Sequence, residues 1–178
     1  MINKFFRYFN EDKKKISDEN LYDDFIIQLG GKQFGGGIFR SFSMQDIEKW
    51  TRIVTEAYPA FQNQFKLFGF DWLGRCFGID LRKNTYQNVL MFEIGTDDVL
   101  EIPCSLEKFL NNEIPEDSEA CLAESFFREW IEYSEKELEY GRCAGYKIPL
   151  FLGGEDNVKN LEDSDMEVYW AILTQFKN

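Results

Sequence analysis

QFKLFGFDWLGRCFGIDL, residues 64–81, is the stretch that decides the fold. Phe65 and Leu67, then Phe77, Ile79 and Leu81, recur at every second position, which is the period of a strand. Between them Asp71-Trp72-Leu73-Gly74 has the composition of a tight turn. The spacing therefore predicts two antiparallel strands, Gln64–Phe70 and Arg75–Leu81, joined as a hairpin. Trp72 in that turn admits two readings: an aromatic anchor in a recognition loop, or a packed Trp with Asp71 and Arg75 paired across the hairpin. The second needs no partner and is preferred.

Working outward, a second hairpin is expected from Asn88–Ile94 and Val99–Ile102 around Gly95-Thr96-Asp97-Asp98, ended by Pro103. On the N-terminal side, Ser43-Met44-Gln45-Asp46 reads as a helix start with Ser43 as cap. Ile47, Trp50, Val54 and Ala57 then give one apolar face to a helix that stops before Pro59. On the C-terminal side Ser105 caps a short helix, Leu106–Asn111. A longer helix follows from about Ser118 to Tyr133, with Leu122, Phe126 and Trp130 on its inner stripe. Residues 134–142 read as charged linker, and Tyr146–Leu152, broken by Pro149, as an edge strand or extended segment. Gly153-Gly154 turns the chain toward a last helix, about Ser164–Phe176, with Met166, Tyr169, Trp170, Ile172 and Leu173 facing inward. The expected class is α+β, a central antiparallel sheet of about four to six strands with helices packed on it.

Composition limits what such a domain can do. The 178 residues are 44% hydrophobic and include 18 Phe, enough for a sizeable core dominated by aromatic packing. Net charge is −12, which repels phosphate backbones and anionic lipid and favours encounter with a basic protein. Direct nucleic-acid binding and membrane binding are therefore not expected. Lys4, Arg7, Lys13, Lys14 and Lys15 give residues 1–15 a net +3, and residues 1–22 are read as a flexible, solvated segment with structure beginning near Leu21. With no histidine, Ser-His-Asp and Cys-His nucleophiles and HExxH metal sites are excluded. Cys76, Cys104, Cys121 and Cys143 form no CxxC pair and lie in or beside apolar runs. They are expected to be free, buried thiols in a reducing cytoplasm. No metal, cofactor or catalytic residue is assigned.

Three patterns invite chemistry and fail on spacing. GGKQFGGGIF, residues 30–39, has glycines but neither Ser nor Thr after Lys32 and no GxGxxG register, so its glycines are expected to serve turns. Asp163-Ser164-Asp165-Met166-Glu167 opens like a calcium loop without the later Gly and Glu, so helix capping is the better reading. The acidic clusters at Asp97-Asp98, Glu113 with Glu116-Asp117, Glu135 to Glu139, and Glu155-Asp156 could hold paired catalytic carboxylates. They make more sense as an electrostatic docking surface, and Asp97, Asp98, Glu155 and Asp156 are the expected partner-binding face.

Four stretches together are more specific than any of these: GGKQFGGGIFR (30–40), FGFDWLGRCFGIDLR (68–82), VLMFEIGTDDVLEIP (89–103) and GYKIPLFLGGEDNVKNLEDSDMEVYW (145–170). With them the chain resembles, over about residues 25–178, the bacterial family that joins a GAD-like N-terminal region to the C-terminal domain of type VI secretion DNase-immunity proteins, near the SUKH immunity proteins. The resemblance implies a domain over residues 23–178, with a GAD-like half at 23–95 and an immunity half at 96–178. It also implies a non-enzymatic cytoplasmic protein whose partner is a cognate secreted toxin, often a basic nuclease. Asp71, Trp72, Gly74, Arg75, Gly153, Gly154, Asn160, Tyr169 and Trp170 match the family pattern as fold-defining positions. The third glycine of FGGG departs from it, where a polar residue such as Asn is expected. A SUKH-like scaffold with another protein partner is the alternative, and a carboxylate enzyme a more distant one.

Overall fold

The computed structural model describes residues 2–82 and 88–177. Its centre is a six-stranded antiparallel sheet in sequential order: β1 (Gln33–Phe34), β2 (Phe39–Ser41), β3 (Phe65–Asp71), β4 (Cys76–Asp80), β5 (Val89–Glu93) and β6 (Asp98–Ile102). Both expected hairpins are present, with Phe65 opposite Asp80 in the first and Glu93 opposite Asp98 in the second. The α+β class and the central antiparallel sheet are as the sequence predicts.

The middle strands are apolar on both faces because both are covered. On one face pack α3 (Met44–Ala57) and α8 (Met166–Phe176), meeting Phe65, Leu67, Phe70, Leu90 and Phe92. On the other pack α1 (Asn3–Tyr8), α2 (Leu21–Leu29) and a helical run over residues 106–134, meeting Phe68, Phe77, Val89 and Met91. That run comprises α4 (Leu106–Lys108), a π turn (Phe109–Glu113), α5 (Ile114–Glu116), α6 (Ser118–Leu122) and α7 (Glu124–Ser134). Along β5, Val89 and Met91 face one core and Leu90 and Phe92 the other, as strict alternation requires. In β3 the alternation breaks at a register shift between Leu67 and Gly69, so Phe68 and Phe70 serve opposite cores. Gly69 sits where a Cβ would lie 2.6 Å from the Phe39 ring, and glycine is what lets β2 and β3 close there.

A second, two-stranded sheet joins β7 (Arg142–Tyr146) to β8 (Leu161–Asp165) and leads into α8. It is tied to the main sheet through Ala144 N–H, which donates to Trp72 O at 2.7 Å. A further tie is Arg40, fully buried on β2, which donates to Arg142 O at 3.0 Å and to Gln33 Oε1 at 2.9 Å. Burial pulls the Arg40 pKa down to about 10, so the side chain is still a cation at neutral pH.

Several expectations are corrected. Structure begins at Asn3, not near Leu21: Ile2, Phe5 and Phe6 are buried in the core, α1 packing on the π turn and α5 with Phe5 against Phe34 of β1, and Ile16 is buried after them. Lys4 keeps its charge outside by pairing with Glu116 at 2.5 Å. The helix expected over 118–133 is broken at Ala123, which takes φ 50°. The glycine-rich segment holds β1 and β2 in addition to turns, although Gly31, Gly35, Gly36 and Gly37 do take positive φ. Strand β7 ends at Tyr146 and does not run to Leu152, and Ile172 on α8 faces outward. Ser43 caps α3 as predicted, its Oγ accepting from Asp46 N–H. No helix among the described residues is long and apolar enough to cross a membrane.

Candidate partner-binding surface

The four acidic residues marked by the sequence come from loops 55 or more residues apart, and the fold brings the two loops to one end of the molecule. Asp97 and Asp98 close the β5–β6 turn, where Asp97 takes φ 61°. Glu155 and Asp156 lie in the connection from β7 to β8. The join is made by Gly95, Tyr146 and Leu150. Leu150 N–H donates to Gly95 O at 2.9 Å, and the Tyr146 ring lies so close that a Cβ on Gly95 would stand 2.8 Å from it. The Tyr146 hydroxyl then donates to Asp156 Oδ1 at 2.7 Å.

The four are not equivalent. Asp97 pairs with Lys177 Nζ at 2.6 Å, and that ammonium also donates to Ala57 O and lies 3.4 Å from the Tyr58 ring centroid. Asp156 is held by Tyr146. All four are exposed, and Glu155 accepts from Asn157 Nδ2 at 2.8 Å. Behind them Glu93, half-buried, has its pKa raised by burial; Asp71, Asp156 and Asp98 push the same way, and Arg75 opposes them. Sequence reasoning missed Tyr146 and Lys177 as the residues that fix this end. A lone basic residue after an acidic, apolar helix was the available signal for Lys177.

The other marked motifs resolve as structure. Arg75 Nε donates to Asp71 Oδ2 at 2.6 Å in the buried hairpin turn, Trp72 is fully buried, and its Nε1 donates to Leu122 O at 2.8 Å. Trp72 is therefore a packed residue and offers no recognition loop. Asp165 caps α8 by accepting from Val168 N–H, and Asp163 pairs with Arg142 at 2.6 Å. Among the described residues no group of three or more Asp, Glu or Cys is placed to hold a metal. All four cysteines are free and buried. Burial raises every one of their thiol pKa values, Cys104 to about 11 and Cys121 to about 12, which removes the thiolate that nucleophilic chemistry needs.

The arrangement presents charge and surface to solvent. No curated protein matches the chain. The fold is similar to the crystal structure of Atu4351 from Agrobacterium tumefaciens, with a TM-score of 0.62 and 21% identity, over 97% of this chain and 79% of that one. Likeness at that identity speaks for the fold. From Ser105 in front of α4 to Lys177 behind α8, residues 105–177, the chain matches the family described as T6SS immunity protein Tdi1, C-terminal.

Proposed function

We propose that this protein is an immunity protein that binds a cognate secreted toxin in a one-to-one complex and blocks it without catalysis. The observation that carries the reading is the family match over residues 105–177. We further propose that the toxin is a nuclease. A nuclease must keep a positive cleft for phosphate backbones, and a −12 protein is complementary to it. Electrostatic steering then speeds capture, and apolar anchors slow release. Buried, protonated thiols and the lack of histidine support a binding role over a chemical one.

The test is co-expression with the product of the gene adjacent to this protein's own, scoring survival and co-purification. Rescue with a stable complex is expected. Binding without rescue would favour the scaffold alternative. The rate of association should fall steeply as salt rises; a salt-independent rate would remove the electrostatic part of the argument.

A further inference from the structure

Helix α8 carries an apolar stripe on the side that faces away from the sheet, beside exposed Glu167 and Gln175, as well as the apolar side that meets it. Met166, Tyr169, Trp170 and Leu173 are buried, while Val168, Ile172 and Phe176 recur every fourth residue and are 55%, 48% and 57% exposed. A helix on the outside of a domain ordinarily turns polar residues to solvent, so a second apolar stripe there is unpartnered surface. Helix α3, packed on the same face of the sheet, obeys this beyond exposed Met44 at its start, with Gln45, Glu48, Arg52 and Glu56 outward. The outer stripe of α8 borders a groove of about 260 Å³ against the β7–β8 hairpin, whose apolar wall is completed by Tyr146 and Pro149. Lys147, Glu162 and Asp165 line its polar margin. Exposed Ile148 stands between two of these lining residues.

The platform is rigid. Trp170 Nε1 donates to Gly74 O at 2.9 Å, the Tyr169 hydroxyl accepts from Tyr146 N–H at 3.3 Å, and Asp165 caps the first turn. One end of the groove runs into the acidic loops, since Tyr146 holds Asp156 and Lys177, next to Phe176, holds Asp97. An apolar centre with a polar rim is the anatomy of a protein interface.

We propose that this groove docks an apolar segment of the cognate toxin, with basic side chains of that toxin meeting Glu162, Asp165 and the acidic loops. The proposal rests on the immunity reading above. Charge selects the occupant: a second copy would bring two molecules of −12 together margin to margin, whereas a basic partner gains from the same field.

The experiment compares wild type, the double variant Val168→Glu with Ile172→Glu, and the control Ile27→Glu, which lies on α2 at 67% exposure. Glutamate is chosen because lost affinity then cannot come from lost negative charge. All three positions are solvent-facing, so unchanged circular dichroism and melting temperature are expected. Affinity is measured for the purified product of the gene adjacent to this protein's own, with rescue scored in parallel. The double variant is expected to bind at least 100-fold more weakly and lose rescue, with Ile27→Glu unchanged. If wild type and double variant bind within threefold of each other, the groove assignment is overturned and the immunity reading stands. If wild type neither binds nor rescues, the immunity reading fails and takes the groove with it. A dimer of the protein alone that the double variant dissolves, with toxin binding intact, assigns the groove to a second copy and overturns the proposal.

Discussion

Replacing Asp71 by Asn should expose how the first hairpin is held. The Asp71 carboxylate is fully buried and accepts from Leu73 N–H and Arg75 N–H at 3.0 Å each and from Arg75 Nε at 2.6 Å. Arg75 in turn donates to Cys121 O at 3.2 Å, so one guanidinium ties the β3–β4 turn to α6. Burial drives the Asp71 pKa up despite that guanidinium, so the pair costs desolvation to form. It is also costly to break. The amide of Asn can still accept from the two backbone N–H groups, but Arg75 is left as a buried cation without its directly bonded carboxylate, with only Glu93 nearby to offset it. Breaking such a pair from one side costs about 3–5 kcal/mol. At about 2–4 °C per kcal/mol for a chain of this size, the lower figure alone lowers the melting temperature by roughly 6–12 °C. Urea unfolding of Asp71→Asn, Arg75→Met and the double variant measures the coupling. The double variant should be more stable than Asp71→Asn alone, because it removes the orphaned charge. A loss in Asp71→Asn of under about 1 kcal/mol, the scale of one neutral hydrogen bond, would show that the buried ion pair does not hold the turn.

Other consequences follow from single groups. The Glu93 pKa is raised above its ordinary 4.5, chiefly by burial, so its protonated form favours the folded state. That contribution is complete below the ordinary value and is lost as pH rises through the raised one. Glu93→Gln should therefore flatten the fall in melting temperature above pH 4.5, and an unchanged profile would contradict this. Trp170→Phe deletes the bond to Gly74 O and should cost about 1–3 kcal/mol in denaturant unfolding, for a buried carbonyl left unmatched. A thiol reagent at neutral pH should label the four cysteines only after unfolding, and fast labelling of native protein would show that burial does not suppress them.

What was legible in the sequence was what local chemistry sets. The two hairpins follow from alternation and turn residues, and the start of α3 from the Ser43 cap. Elements that owe their form to distant partners were not legible. Strand β2 is three residues, made a strand by pairing with β3, and β8 is an acidic LEDSD made one by β7. Helix α1 hid behind Lys4 and Arg7, although Ile2, Phe5 and Phe6 sit at helical spacing. The left-handed Ala123 has no local signature such as glycine. The acidic clusters could be named one by one, but their meeting depends on Gly95 touching Tyr146 and Leu150. The inward assignment of Ile172 failed because α8 has more apolar residues than one face can bury.

Neutralisation by stoichiometric binding is tested by titrating purified protein into the product of the adjacent gene while its toxic activity is followed. Inhibition should rise linearly and end at one molecule per toxin. Full toxin activity at a large excess of this protein, or inactivation by far less than one equivalent, would contradict it.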